Sequence, residues 1–372
     1  MKKKTKANKQ RLNNLLIVLL LSAMLLVMST YAWFTANKTV NVDSIDVKVS
    51  TTSGLQISAD GEDWKTVLDK TDLVKAKTVY LAATNQLPDE MSPVSTIMEV
   101  DGNGRAKMFF GDVYADLNPD SDTYGEYVLE SDLLTSDEKG ANLEKDGNEG
   151  KYIAFDVFLK SGNKAEELYM SGNVTEIEEK VDGEGNKYFE PITVLANESG
   201  IANAARIGII KGGNTTDTSG SAARALSTVG GKTVIWEPNS DTHTANGVAN
   251  GVALGWITPG SISAGTGATA VAYDGLYAET TKAIELSQVT EAANGTVAKA
   301  VTPNWKTKRG EKASLQFPSS MKDGNGNVLN NGITKLRIYM WVEGQDIDAE
   351  NFASGSFVEY NLSFSLEPYP TN

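Results

Sequence analysis

Ile333-Thr-Lys-Leu-Arg-Ile-Tyr-Met-Trp-Val342, followed by Phe357-Val-Glu-Tyr-Asn-Leu-Ser-Phe-Ser-Leu366, decides the fold class. Both runs are rich in β-branched and aromatic residues and contain neither Pro nor Gly, so they read as strands. Phe357, Tyr360, Leu362 and Phe364 carry the second. Upstream, Asp323-Gly-Asn-Gly-Asn327 reads as a turn tip, and Val181-Asp-Gly-Glu-Gly-Asn186 as the tip of a hairpin. Lys151 to Lys160 is a strand with β-formers on both faces, introduced by Asp146-Gly147-Asn148. Val40 to Val49 alternates through Val40, Val42, Ile45, Val47 and Val49, slipping once at Asp43-Ser44. Leu55 to Ser58 alternates again before the turn Asp60-Gly61.

Helical spacing is found only in Thr66 to Ala76 and Tyr277 to Ala293. Strands dominate without a βαβ rhythm. The expected class is therefore all-β, an antiparallel jelly-roll-like β-sandwich with long loops and a few short helices. From 211 to 301 the composition shifts to Gly, Ala, Thr and Ser, and this stretch reads as an insertion on a single domain, residues 33–372. Gly212 to Thr216 and Gly260 to Gly267 are loops by composition. Thr233 to Glu237 and Val252 to Ile257 look like strands.

The amino end has a different character. Lys2, Lys3, Lys4, Lys6, Lys9 and Arg11 precede an apolar run from Leu15 to Met28, and Ser29-Thr30-Tyr31-Ala32-Trp33-Phe34 follows. A basic region, an apolar core and a small-residue exit make an export signal, with cleavage expected between Ala32 and Trp33. An apolar N-terminal signal helix over 1–32 is thus expected, and the mature chain is secreted to the extracellular cell surface. Leu15 to Phe34 is also about long enough to span a bilayer. The alternative is therefore an uncleaved helix that anchors the chain in the membrane. Polar Ser29 and Thr30 weaken it as a span.

The chain holds 34 basic and 48 acidic residues, a net charge of −14. Without the six basic residues of the leader the balance is 28 against 48, or −20. Such a surface repels nucleic acid and anionic headgroups, so no nucleic-acid partner is expected and the membrane is met only through the leader. With no cysteine, stability has to come from a core, and thiolate chemistry is excluded.

Tyr31-Ala-Trp-Phe-Thr35 after the apolar run resembles the signal-peptide exit of TasA/camelysin-like proteins. These are exported by Gram-positive bacteria and processed by a SipW-type signal peptidase. Lys151-Tyr-Ile-Ala-Phe-Asp-Val-Phe-Leu-Lys160, Ala205-Arg-Ile-Gly-Ile-Ile210 and Arg337-Ile-Tyr-Met-Trp-Val-Glu-Gly-Gln-Asp346 are similar to strand blocks of that family. The resemblance implies a jelly-roll-like sandwich, a SipW-type peptidase as partner, and self-assembly into fibres of the biofilm matrix. Camelysin-like members have been described as metalloproteases. The chain has one histidine, His243, and no H-E-x-x-H motif, so that activity is not carried over and no catalytic residue is assigned. His243 itself reads as a loop histidine in a turn-rich segment.

Three carboxylates alternate in Asp346-Ile-Asp348-Ala-Glu350, so an extended loop would point Asp346, Asp348 and Glu350 to one side. Crowded like charges favour a cation, and millimolar extracellular Ca²⁺ is the candidate; no other cofactor is expected. Asn118-Pro-Asp120-Ser-Asp122 follows the same logic.

The function expected is structural: a homopolymer in which the segment freed by cleavage adds as a strand to a neighbouring subunit. Trp33, Phe34, Val40 and Val42 would supply the pocket-filling contacts. The alternative is a monomeric or membrane-tethered surface binding module, an adhesin or glycan binder, for which six tryptophans and thirteen tyrosines could supply platforms. A carboxylate-based hydrolase is a third class, but acidic residues are too abundant for any pair to stand out.

Overall fold

The computed structural model describes residues 40–49, 54–94, 96, 98–115, 119, 127–133, 144, 147–162, 166–192, 200–239, 243–253, 276–277, 284–285, 299–300, 305–306, 315–344, 346, 348–349 and 357–368. The chain is mostly β. A seven-stranded sheet contains β1 (Val40–Val49), β3 (Val67–Leu68), β4 (Glu90–Met91), β8 (Tyr169–Val181), β9 (Lys187–Pro191), β16 (Leu315–Gln316) and β18 (Phe357–Ser365). Its order is β16-β8-β18-β1-β3, with β4 also on β1 and β9 also on β8. A six-stranded sheet runs β15 (Trp305–Lys306), β11 (Lys232–Glu237), β10 (Ala205–Thr215), β17 (Ile333–Val342), β7 (Ile153–Lys160) and β2 (Gln56–Ser58). In these two sheets all neighbours are antiparallel except β1–β18 and β11–β15. The remaining strands are β5 (Phe109–Ala115), β6 (Tyr127–Leu133) and β13 (Ile284–Glu285) in one small sheet, and β12 (Leu276–Tyr277) with β14 (Lys299–Ala300) in another.

One apolar cluster joins the two large sheets. Val42, Ile45 and Val47 of β1 and Tyr360, Leu362 and Phe364 of β18 meet Phe155 and Val157 of β7 and Leu336, Ile338 and Met340 of β17. The other face of the six-stranded sheet is covered too. There Ala154, Ile210, Tyr339 and Trp341 pack against Val94, Met98, Ala106 and Met108. Burial on both faces explains why β17 is enclosed at all ten positions and why its sequence lacks a polar stripe. Its charged residues are paired instead. Arg337, in register with Asp156 of β7, bonds it at 2.7 Å, and Lys335 reaches the same carboxylate at 2.8 Å. Tyr339 donates to Glu144, which also bonds Arg337 and lies 3.2 Å from Arg105.

Three loops share one construction. In 101–105, 182–186 and 323–327 the leading Asp Oδ1 accepts backbone N–H groups two and four residues ahead, at 2.8 and 2.9 Å. The fourth residue, Gly104, Gly185 or Gly326, has φ of 80°, 89° or 85°. Only glycine adopts that conformation at little cost, so D-G-x-G closes a tight loop.

Several sequence expectations change. Thr66 to Ala76 is helical only in α1 (Lys70–Ala76), because Asp69 caps it through a capping box with Asp72; Val67–Leu68 is strand. Within the helix expected at Tyr277 to Ala293, the described Tyr277, Ile284 and Glu285 are strand residues, paired with Lys299, Leu129 and Val128. Val252 and Ala253 close a helix, not a strand. The insertion boundary at 211 falls inside β10, and Gly212 to Thr215 is strand rather than loop. A register shift between Lys211 and Asn214 places both glycines at a bulge. A Cβ on Gly212 would lie 2.7 Å from the Ser227 carbonyl oxygen, which explains the glycine there.

Candidate functional site

At one end of the six-stranded sheet the start of β10 lies between the ends of β11 and β17. Ile207 pairs with Trp236, and Ala205 pairs with Val342. This register brings Arg206, Glu237 and Glu343 together although they are far apart in sequence. Two further segments close over them. One is the short helix α2 (Ile201–Ala204), and the other is His243-Thr244, which leads into α4 (Ala245–Ala253). A small helix, α3 (Gly220–Arg224), lies between them in sequence.

Arg206 is the hub. Its Nη2 lies 2.6 Å from Asp346 Oδ2 and 3.1 Å from Glu237 Oε1, while Nη1 donates to the carbonyls of Asn203 and Ala205. Asp346 Oδ1 accepts the backbone N–H of Asp348 at 2.9 Å. Asp348 accepts four bonds. Oδ1 takes the Thr244 backbone N–H and hydroxyl at 3.0 and 2.9 Å, and Oδ2 takes Asn203 Nδ2 at 3.1 Å and His243 Nδ1 at 2.8 Å. The Thr244 hydroxyl in turn accepts from Gly247 N and caps α4. Gly200 makes this contact close. Its φ is 87°, and a Cβ there would sit 3.0 Å from Thr244 and 3.1 Å from Asp348.

Arg206, Glu237, His243, Glu343, Asp346 and Asp348 are all no more than 2 % exposed. Four of these six residues are acidic. Burial raises the Asp346 carboxyl above its ordinary value, and Asp348 pushes the same way, while Arg206 and His243 pull it back. For His243 burial works against the charged ring, but the bond to Asp348 and the charges of Asp346, Asp348 and Glu237 outweigh it and raise its pKa. Ligand atoms of His243, Asp346 and Asp348 lie within 4.8 Å of one another, making this a group able to hold a metal ion. The Nε2 of His243 is buried and has no hydrogen-bond partner. Every member is sealed from solvent, so the cluster as it stands ties strand ends and loops together and presents no surface to a large substrate.

Of the residues singled out by sequence, Asp346 and Asp348 are brought together. They meet through successive turns, Asp346 N to Glu343 O and Ala349 N to Asp346 O, and not through an extended loop. Val40 and Val42 are buried in the chain's own core as part of β1. Ala32, Trp33, Phe34, Asp120, Asp122 and Glu350 lie outside the described residues. His243 lies in a loop, as its turn-rich context implied, and is buried there. Arg206, Asn203 and Thr244 were not legible as site residues, since the strand pairing of β10 delivers the first and long-range hydrogen bonds to Asp348 deliver the other two. Among the described residues no helix is long and apolar enough to cross a membrane. Comparisons with protein-family models, curated proteins and solved structures give no match.

Proposed function

We propose that this chain is an extracellular structural protein, a TasA-like subunit of a cell-surface fibre or biofilm matrix, and that its two sheets form a jelly-roll-like sandwich. Export by the leader, cleavage after Ala32 by a SipW-type peptidase and head-to-tail addition of the N-terminal strand to the next subunit complete the reading.

The observation that supports it is the position of β1. It pairs in parallel with β18 along nearly its whole length and with β3 and β4 on its other side. Val40, Val42, Ile45, Val47 and Val49 are buried. At about 1.5–3 kcal/mol for each buried aliphatic side chain, β1 contributes on the order of 8–15 kcal/mol of apolar burial. A subunit without this strand would expose the β18 edge and an apolar groove. The same strand from a neighbour would restore every contact, so exchange between subunits is close to neutral in contacts while linking the chains. Trp33 and Phe34 are separated from this strand by five residues in sequence and belong to the proposed donor segment.

The test is direct. The N-terminal residue of protein recovered outside its native cells is expected to be Trp33, and chain beginning there is expected to form filaments under negative-stain microscopy. An intact leader together with single particles at all concentrations would overturn the fibre reading and favour the membrane-tethered binding module.

A further inference from the structure

We infer that the hairpin arm made by the end of β8 and by β9 is a docking surface. Its occupant is the N-terminal segment 33–39 of the chain that supplies β1, with Trp33 and Phe34 seated against Val181, Phe189 and Phe357. The inference holds whether β1 stays in its own subunit or is exchanged, so it does not rest on the fibre reading. In a fibre it names the surface that the incoming segment meets beyond the β18 edge.

Strand pairing defines the arm. β8 pairs with β18 only as far as Ile177, opposite Phe357. Residues 178–181 continue past the start of β18, and among the described residues β9 is the only strand paired with them. Directly opposed residues share a face, so Ile177, Val181, Phe189 and Phe357 lie on one side. That side faces away from the core, because the alternate residues Val358 and Tyr360 belong to the core cluster. The rings of Phe189 and Phe357 stand 5.0 Å apart. Val181 is 59 % exposed and Phe189 36 %, and Phe189 and Tyr188 are the only exposed aromatic side chains among the described residues. A two-stranded ribbon is marginal on its own, and apolar side chains left bare on one mark an interaction surface.

Topology chooses the occupant. β1 runs parallel to β18 with Asn41 opposite Phe357, while β8 runs antiparallel to β18. The chain therefore enters β1 from the end of the sheet where the arm projects. Two strand spacings, about 10 Å, separate β1 from β8, and residues 177–181 span about 13 Å. The seven steps from Phe34 to Asn41 cover about 23 Å when extended, so the whole arm is within reach. Any chain whose β1 fills the groove delivers its own Trp33 and Phe34 to the arm of the subunit holding that strand. The chemistry agrees. Two aromatic rings meet an aromatic and aliphatic face, where tilted ring packing is favourable. The arm carries Glu178, Glu179, Asp182, Glu184 and Glu190 against two lysines, Lys180 and Lys187, both already paired with its glutamates. The segment 33–39 has no acidic residue and brings Lys38 and, once the leader is removed, a free amino terminus.

The experiment uses the chain beginning at Trp33, with photoreactive benzoylphenylalanine in place of Phe34, mixed with isotope-labelled unaltered chain. After irradiation and digestion, mass spectrometry maps the adducts. They are expected on residues 177–191 or on Phe357, and are expected to be lost in the Val181→Ser, Phe189→Ser variant. Should that variant fail to fold, the adduct map of the unaltered arm decides alone. Arm adducts confined to single chains would uphold the inference and reject exchange, whereas adducts on labelled arms in filaments would uphold both. Adducts only elsewhere on the chain, no adduct, or arm adducts undiminished in the folded variant would overturn the inference, whether or not filaments form.

Discussion

Arg206→Met tests what holds the strand ends together. The substitution nearly preserves the length and apolar stem of the side chain but removes its charge from between Asp346, 2.6 Å away, and Glu237, 3.1 Å away. Removing one partner of a buried ion pair costs about 3–5 kcal/mol, because the remaining charge is stranded. The carbonyls of Asn203 and Ala205 lose a donor too, which places the loss toward the upper end of that range. A domain's whole stability is about 5–15 kcal/mol, so the variant is expected to fold only marginally at neutral pH. Urea unfolding followed by tryptophan fluorescence in chelator measures the loss. The decisive comparison is the double variant Arg206→Met, Asp346→Asn. Neutralising the stranded carboxylate should recover at least about 1 kcal/mol, since groups in direct contact are not additive. A single-variant loss below about 1 kcal/mol, or a double variant that loses the full sum, would refute the hub role of Arg206.

Gly326→Ala is expected to cost about 1–2 kcal/mol because its φ of 85° is left-handed, whereas Gly324→Ala in the same loop has open space and no such φ and should change the urea midpoint little. Gly172→Ala would put a Cβ 2.2 Å from the Asn361 carbonyl oxygen in the β8–β18 pairing. A loss of about 1–3 kcal/mol from forced strand displacement is expected, read as a lowered Tm. Acid unfolding should report Asp156. Burial opposes its ionisation, but Arg337 and Lys335 outweigh that and hold the carboxyl below its ordinary value of 3.8. A folded pKa below the unfolded one stabilises above the unfolded value and is lost as pH falls through the folded value. The Asp156 contribution to the urea midpoint should therefore persist above about pH 5 and disappear below pH 3.8, and Asp156→Asn should remove that component of the acid transition.

Local rules made much of the architecture legible. Alternation located β1, including the break at Asp43-Ser44, where the pairing with β18 shifts register between Val42 and Ser44. The D-G-x-G pattern identified the loops at 182–186 and 323–327, because an Asp side chain and one left-handed glycine suffice to close them. The β-formers on both faces of Lys151 to Lys160 marked a strand, found at Ile153–Lys160 and buried at all but its last position. Long-range partners were not legible. That β1 lies against β18, from the opposite end of the chain, depends on the core that both share. Gly212 and Gly213 looked like loop residues because composition does not distinguish a glycine in a loop from one at a bulge. The candidate site was half visible. Asp346 and Asp348 stood out as neighbours, but His243 comes to Asp348 across 105 positions, and Arg206 looked like an ordinary strand residue.

The measurement closest to the central claim uses the Lys48–Ser363 register between β1 and β18. Paired residues in adjacent strands are close enough for a disulfide, and the chain has no cysteine to interfere. Lys48→Cys, Ser363→Cys protein, beginning at Trp33, is assembled under reducing conditions, oxidised, and run on a denaturing gel without reductant. Strand exchange predicts a ladder of covalently linked subunits from the fibres and a closed monomer from unassembled protein. Fibres that release only monomers with an internal disulfide would show that β1 stays with its own chain, and would contradict the account.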